Sequence, residues 1–540
     1  MQPTNVQNVI KVVVLSGGIA SGKSTLASDL SSKFSILRVS TSDLIKAMRP
    51  DVSDNREQLQ KAGSELDRKF GGEWIGDGLG LILSKSSGKT IVLDSVRTTD
   101  QLKSVYDAVG ARRVLHVHLV APEGIREDRY VKRKRGTDKD TKFQKALADP
   151  TEKRVQELES KADLKIDTDA CEQNDVTLRV AARLGLFSRT AEQLVDVIIG
   201  GQYGSEGKGN IADYMAPEYD ILMRVGGPNA GHKVYEEPVP YTHISLPCGT
   251  RRNDKAQLLI GPGAVLNEDI ILTEINDCNV PTHRLTIDPN AVVITQDDID
   301  WEKKHLKDIS STFNGVGAAS ARRLTNRFVK SDRCVLASDI PNLRPYIGET
   351  QKKLELAYAR GSKIQLEGTQ GTGLSVLHGE YPYVTSRDTT VSGCLSEAGI
   401  SPRRVRKITM VVRTYPIRVG GPSGPMKRQI TWADVAARSG ISVEELRGHE
   451  LGSRSGKKRR VAEFDWSMLR KASHYNSPTD IALTFVDYLG VSNRDARRFD
   501  QLSQETINFI EEIEKVSGTN CSLICTDFTS RCVIDRRAWP

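Results

Sequence analysis

The sequence predicts an α/β protein of two units, each built on a mostly parallel central sheet flanked by helices. Three observations predict it. Two segments far apart in the chain run from a buried-strand pattern through a glycine-rich turn into a helix start; the strands are Val12-Val13-Val14-Leu15-Ser16 and Val195-Asp196-Val197-Ile198-Ile199. Apolar strand patterns alternate with helical stretches, as in doubly wound sheets. The chain has 540 residues, too many for one ordinary domain.

The first unit is expected over residues 9–186. Its opening strand is followed by Gly17-Gly18-Ile19-Ala20-Ser21-Gly22-Lys23-Ser24, which satisfies G-x-x-x-x-G-K-[ST] in full. This is a phosphate loop, so the expected contacts to a nucleoside triphosphate come from Gly17, Gly22, Lys23, Ser24 and Thr25. Lys23 reaches the terminal phosphates, and the Ser24 hydroxyl is the expected Mg²⁺ ligand. Further strands are read at Thr90–Asp94, at Val114–Val120 and, as a last short one, near Lys165–Asp169. Asp43 follows a strand pattern, where it would meet an acceptor or an Mg²⁺-bound water. Arg97 lies just past the C-terminal end of a strand, where ligands bind in such sheets, and would clamp an acceptor phosphate. Arg126, Arg129 and Arg133 follow Val114–Val120 as a basic helix suited to neutralising a transferred phosphoryl group.

A polar stretch from Phe187 to Gln193 reads as the linker, and the second unit is expected over residues 194–540. Its strand runs into Gly200-Gly201-Gln202-Tyr203-Gly204-Ser205-Glu206-Gly207-Lys208-Gly209 and then a helix start. Backbone N–H groups and the helix N-terminus make this turn a second anion cradle. Both units are therefore of phosphate-loop type.

Composition narrows the function classes. The hydrophobic fraction is 38%. No apolar run approaches the about 18 residues needed to span a membrane. The N-terminus lacks signal-peptide regions. The eight cysteines form no metal-type pairs and read as reduced thiols, so a cytoplasmic protein without membrane partners is expected. The net charge of +8 comes largely from two local clusters, Arg126–Arg135 and Arg454–Arg460, with a single aromatic, Tyr130, within them and no run of interleaved aromatics. That pattern favours small anionic substrates over nucleic acid.

Both units resemble known families. The first resembles nucleoside or deoxynucleoside monophosphate kinases; the local stretch Gln58–Gly63 followed by Trp74-Ile75 is closest to deoxynucleotide kinases. The second resembles adenylosuccinate synthetases over nearly all of its length, in compactness closer to their archaeal and phage branch. In that family an NTP phosphorylates O6 of a 6-oxopurine nucleotide, and the amine of L-aspartate then displaces phosphate at C6.

The resemblance assigns roles. Gly204, Glu206, Gly207, Lys208 and Gly209 bind the NTP, and Lys208 also counts among the catalytic residues. Asn229-Ala230-Gly231-His232 resembles the family's Asn-Ala-Gly-His; His232 is the general acid at O6 and Gly231 a metal-binding position. Glu367-Gly368-Thr369-Gln370-Gly371-Thr372 supplies Gln370 to the purine edge. Asn229, Ser311, Thr312 and Thr385 bind the substrate nucleotide, Thr385 at its 5′-phosphate. Either Arg322 or Arg323 is the arginine that the family donates across a homodimer interface. Ser453–Arg460 resembles the aspartate loop, with Ser455, Lys457 and Arg459 as carboxylate donors. Lys457 replaces an arginine, so one bidentate contact becomes a point charge. Mg²⁺ is the implied cofactor.

Two departures bear on substrate. Ser205 stands where the family has its aspartate base. A serine hydroxyl has too high a pKa to act as that base, yet it leaves room for a guanine 2-amino group beside N1. The phage 2-aminoadenylosuccinate synthetases, which use dGMP, share this serine. In Leu483-Thr484-Phe485-Val486-Asp487, Phe485 replaces the family's guanine-reading lysine while Asp487 remains, so ATP or dATP becomes as admissible as GTP. The expected function is thus a dGMP-using aminosuccinate synthetase fused to a nucleotide kinase-like unit. The alternatives are an ordinary synthetase acting on IMP or dIMP and a nucleotide sensor without turnover.

Overall fold

The computed structural model describes residues 10–537 except 50, 53–55, 86–89, 133–142, 149, 188–191, 236–238, 310, 328–332, 452–457 and 530–531. Arg133, Ser455, Lys457 and most of the expected linker lie outside the described residues. By its internal contacts the chain divides into two compact units, Met1–Arg189 and Thr190–Pro540.

Among the described residues, the first unit holds a five-stranded sheet in the order Leu37–Ser40, Ile91–Asp94, Val12–Gly17, Val114–Val120, Leu164–Asp167. Every pairing in it is parallel. The run of valines in the central strand follows from this placement. Val12 and Val14 pack into one apolar cluster and Val13 and Leu15 into another, one on each face, and all four are fully buried. A strand covered on both faces has no polar side to display, so its sequence does not alternate.

The second unit repeats this logic on a larger scale. Its sheet has nine strands among the described residues, in the order Leu285–Ile287, Gln257–Ile260, Ile221–Arg224, Ile364–Glu367, Val195–Gly200, Val405–Arg413, Asp480–Thr484, Cys521–Cys525, Val533–Asp535. All pairings are parallel except the last. Val195, Val197 and Ile199 enter one core and Ile198 the other. The register aligns the carboxyl ends of neighbouring strands: Glu367 lies opposite both Ile198 and Arg224, Val411 opposite Gly200, and Arg413 opposite Thr484. The ends of parallel strands, where loops diverge to either side, are where such sheets form their ligand crevice. A hairpin of His232–Val234 and Tyr241–His243 and a small antiparallel sheet of Ile417–Val419, Arg459–Ala462 and Gln429–Ile430 carry further residues.

No described helix is long and apolar enough to cross a membrane. None of the eight cysteines is in a disulfide.

Candidate functional site

In the first unit Gly17 and Gly22 adopt left-handed φ values of 136° and 101°, and the helix Lys23–Phe34 starts directly after Gly22 with no side-chain cap. Its first N–H groups are thereby left for an anion. Lys23 Nζ donates to the carbonyls of Gly17 and Gly18 at 2.6 and 2.8 Å, folded back over the loop. Ser24 is half-buried and Thr25 exposed at the helix start. Two neighbouring groups had no signal as strong as the loop itself. Asp94 ends its strand opposite Leu15; its Oδ2 takes Arg38 at 2.7 Å, while its buried Oδ1 has no partner among the described residues. Glu152 accepts from the Ile19 N–H at 3.1 Å and pairs with Arg97 at 3.1 Å.

The residues expected at the acceptor and around the transferred phosphoryl group fall differently from one another. Arg97 does reach the loop's surroundings, through Glu152. Asp43 does not project toward the loop: its carboxylate accepts from the Ser40 N–H and hydroxyl, forming the capping box of the helix Thr41–Met48. A carboxylate three residues into a helix satisfies an otherwise orphaned N–H, and that local gain fixes its direction. Arg129 forks onto the Thr168 hydroxyl and carbonyl, both at 2.8 Å. Of the described members of the set, Arg126 is the one whose guanidinium lies against the phosphate loop, filling the space beside Gly18.

In the second unit the turn Gly200–Gly209 is organised from within. Gly204, Ser205 and Gly207 all have left-handed φ, at 88°, 57° and 86°. Glu206, expected among the NTP contacts, turns its carboxylate inward instead. It accepts from the N–H groups of Gln202 and Gly204 at 3.1 and 2.7 Å and from Lys208 Nζ at 2.6 Å, and it is fully buried. A buried carboxylate needs this full set of donors, and the turn supplies them within four residues. Gly200 must be glycine here: a Cβ would stand 2.5 Å from the Gln370 carbonyl and 2.7 Å from the Glu206 carboxylate. Gly207 caps the helix Lys208–Met215 without a side chain, leaving N–H groups at its start. Gly209 packs directly beneath His232.

His232 is the centre of a buried polar cluster. Its Nδ1 lies 2.5 Å from Glu367 Oε1, which also takes Arg224 at 3.0 Å and the Cys248 thiol at 2.9 Å; the Cys248 N–H donates to Glu367 Oε2 at 2.8 Å. Burial and the Arg224 guanidinium push the imidazole down to about 4, outweighing Glu367. Burial would raise the Glu367 carboxyl, but Arg224 and His232 hold it well below the usual range. His232 is therefore neutral near pH 7, with Nδ1–H donated to an ionised Glu367 and the Nε2 lone pair left over. Burial and Glu367 keep the Cys248 thiol protonated. His232, Cys248 and Glu367 lie close enough together to hold a metal ion. The guanidinium on the same carboxylate oxygen and the protonated thiol make them a hydrogen-bond network rather than a cation site.

The other described residues expected at the site make the following contacts. Gln370, at φ 61°, donates from Nε2 to the Thr385 hydroxyl at 3.0 Å. Asn229 Oδ1 accepts from Thr312 at 2.7 Å and Asn314 at 3.2 Å, and Ser311 Oγ accepts from the Phe313 N–H at 3.1 Å. Arg322 pairs with Asp298 at 2.6 Å, whereas Arg323 donates to the carbonyls of Pro262 and Asn290. On the other side of the glycine turn, Arg459 donates to Ser205 Oγ at 3.2 Å and pairs with Glu450 at 2.9 Å. Phe485, also at left-handed φ, has one face covered: the Arg413 guanidinium sits 4.0 Å from its ring centroid, with Tyr488 and Phe528 against its sides. Asp487 is 1% exposed and 3.3 Å from Arg494; burial nevertheless pushes its carboxyl up to about 7. Tyr203, inside the glycine turn, stacks at 4.3 Å under Arg418, a residue that carries no motif.

Mg²⁺ was implied for both units. In the first, the Ser24 hydroxyl and the partnerless Asp94 Oδ1 are hard oxygen donors beside a phosphate loop, a set that fits it. In the second, Ser205 faces a guanidinium, which disfavours a cation at its hydroxyl.

The comparisons agree with this geometry. A family model described as adenylosuccinate synthetase matches residues 197–338 and 335–494, and one described as an AAA domain matches residues 12–158. The adenylosuccinate synthetase of Methanocaldococcus jannaschii is 35% identical over 350 residues, covering 63% of this chain and 96% of that protein. The synthetase of Pyrococcus sp. is 34% identical over the same length, covering 98% of it. Among solved structures, fully ligated adenylosuccinate synthetase from Plasmodium falciparum shares the fold, with TM-score 0.57 and 22% identity over 64% of this chain and all of that one. The cyanophage S-2L succinoaminodeoxyadenylate synthetase, solved with dGMP and with dATP as energy donor, matches with TM-score 0.54 and 25% identity, covering 64% of this chain and 96% of that one. With its glycine turn, its His232 cluster and these matches, the chain belongs to the adenylosuccinate synthetase family, ligases that form a C–N bond, and carries a kinase-like phosphate-loop domain ahead of the ligase.

Proposed function

We propose that residues 194–540 join L-aspartate to C6 of dGMP at the expense of a purine NTP, giving 2-amino-2′-deoxyadenylosuccinate, the NDP and phosphate. The observation that carries this reading is Ser205. It sits at the apex of the glycine turn, exposed and at left-handed φ, with a hydroxyl where the family has a carboxylate. The neighbouring carboxylate cannot take its place, because Glu206 is bound inward. A guanine 2-amino group beside N1 therefore meets an acceptor of small size rather than a charged, bulkier one. The dGMP and dATP held by the cyanophage relative support the same substrate class.

The chain's residues divide the work as follows. The backbone of the glycine turn and Lys208 receive the donor phosphates. The γ-phosphoryl group moves to O6 as the NDP leaves, the N1 proton passes by way of the exposed Ser205 hydroxyl to solvent, and the aspartate amine then attacks C6, expels phosphate and gives its own proton to solvent. His232 is neutral before substrates bind. The incoming phosphates favour its protonated form, with Glu367 as counter-ion, so that Nε2–H can be given to the oxygen at C6. Gln370 and Thr385, already hydrogen-bonded together, face the purine edge and 5′-phosphate, and Arg459 receives an aspartate carboxylate. Mg²⁺, bound with the donor phosphates, would neutralise their charge.

For residues 9–186 we propose phosphoryl transfer from ATP to a purine deoxynucleoside monophosphate, with Lys23 and Ser24 at the donor, Arg126 at the loop and Arg97 at the acceptor. The fusion is chemically coherent, since a modified monophosphate must become a triphosphate before a polymerase can use it. We further propose a homodimer through the synthetase unit. Exposed Trp301 and Leu324, on the helix pair that carries Arg322 and Arg323, support an apolar contact there.

The test is a substrate panel. IMP, dIMP, GMP and dGMP are each offered with aspartate and with ATP, dATP or GTP, and phosphate release is measured. Aspartate-dependent release with dGMP above the others is expected. Good turnover of IMP with none of GMP or dGMP would restore the ordinary adenylosuccinate reading, and no release with any pair would leave a nucleotide sensor.

A further inference from the structure

Glu450 carries no role so far, yet it is the most heavily engaged carboxylate beside Ser205. Its side chain is 1% exposed. Oε1 accepts from Arg413 Nη2 at 2.5 Å and from the Tyr488 hydroxyl at 3.0 Å; Oε2 accepts from Arg459 Nη1 at 2.9 Å. Burial alone would raise its carboxyl, but Arg413 and Arg459 hold it down to about 2, so it stays ionised. Glu450 and Arg459 also face each other through the backbone. The Arg459 N–H donates to the Glu450 carbonyl at 3.3 Å, and Leu451 and Lys458 form a β-bridge between them.

Two guanidinium groups share this one carboxylate, so the cluster keeps an unmatched positive charge. Arg413 is locked: its side chain is fully buried, its ring partner is Phe485 at 4.0 Å, and it also donates to the Ser205 carbonyl at 3.2 Å. Arg459 is half-buried and splits its fork, one nitrogen on Glu450 and the other on the Ser205 hydroxyl. The contact to a neutral hydroxyl is the weaker of the two and the one an incoming carboxylate can displace. Without Glu450, the two arginines would repel each other, and only the weaker contact to the Ser205 hydroxyl would hold Arg459 toward the turn.

We infer that Glu450 is a positioning residue: buried between Arg413 and Arg459, it fixes the Arg459 guanidinium beside Ser205 so that one edge is presented to an aspartate carboxylate. This rests on the reading of Arg459 as an aspartate ligand, and the experiment separates the two. Steady-state KM and kcat for aspartate, dGMP and donor are measured for the full chain and for Glu450→Gln, Glu450→Asp, Arg459→Ala and the Glu450→Gln/Arg459→Ala pair. Glu450→Gln is expected to raise the aspartate KM by about tenfold or more, the scale of one charge-assisted contact, with the dGMP KM within about twofold. Glu450→Asp should recover part of the loss, and the pair should be no worse than Arg459→Ala alone, because both act through one guanidinium. If Glu450→Gln does not fold, Arg413→Lys replaces it, with the same selective rise in aspartate KM expected. Arg459→Ala raising the aspartate KM while neither Glu450→Gln nor Arg413→Lys does, or fully additive effects in the pair, overturns the positioning role. An unchanged aspartate KM in Arg459→Ala overturns the underlying assignment instead.

Discussion

Arg459 Nη2 donates to Ser205 Oγ at 3.2 Å, joining two residues 254 positions apart in the chain. The contact ties the residue that departs from the family to the loop proposed to receive aspartate. A carboxylate at position 205 would turn this weak contact into an ion pair.

That gives the first prediction. Ser205→Asp should crowd the guanine 2-amino group and lose activity on dGMP, by roughly 5- to 150-fold for a cost of about 1–3 kcal/mol. Relative preference for IMP or dIMP should rise. The new carboxylate should also hold Arg459, so the aspartate KM should rise with either nucleotide. Competition assays with dGMP and IMP read the first effect and aspartate titrations the second. Unchanged nucleotide preference would remove Ser205 as the specificity residue.

His232→Ala should lower kcat by about 10²–10⁴-fold while nucleotide binding largely persists. Because burial and Arg224 bring the imidazole down to about 4, the free enzyme should show no His232 inflection in kcat/KM between pH 6 and 8. Survival of activity within a few-fold in the alanine variant would refute the proposed role.

Lys23→Ala should abolish phosphoryl transfer by residues 9–186 and leave aspartate-dependent turnover intact, since each unit has its own phosphate loop. Separate assays of the two reactions on the purified variant, with circular dichroism as the folding control, check this. Loss of both reactions in a folded variant would end the model of independent units.

Asp487 makes stability pH-dependent in a direction opposite to most carboxylates. Its folded pKa, about 7, lies above its ordinary 3.8, because burial outweighs Arg494. Between those values the folded chain binds the extra proton, so this contribution is complete at low pH and is lost as pH rises through about 7. Asp487→Asn should therefore gain thermal stability relative to wild type as pH goes from 5 to 8; Arg494 keeps Glu445 as a partner at 2.9 Å. A constant difference in Tm across that range would count against it.

The sequence by itself determined the parts whose signal is local. Both glycine turns, the buried valine strands leading into them and the His232 and Gln370 motifs were legible, because a phosphate cradle needs particular residues at fixed short spacing. The family followed from the same motifs. What only the tertiary structure decided is which side chains face each other. Asp43 looked like a ligand and is a helix cap; Glu206 looked like a nucleotide contact and is the internal anchor of its own turn. Glu450 and Arg413 carried no motif at all, and nothing local marked that one oxygen of Asp94 is left without a partner among the described residues. The physical reason lies in the strand order. The Val195–Gly200 strand sits between Ile364–Glu367 and Val405–Arg413, so the carboxyl ends that meet at the site come from segments far apart in sequence. Whether a buried charge there is a ligand or a strut depends on the donors that folding brings to it, and those donors are not its neighbours in the chain.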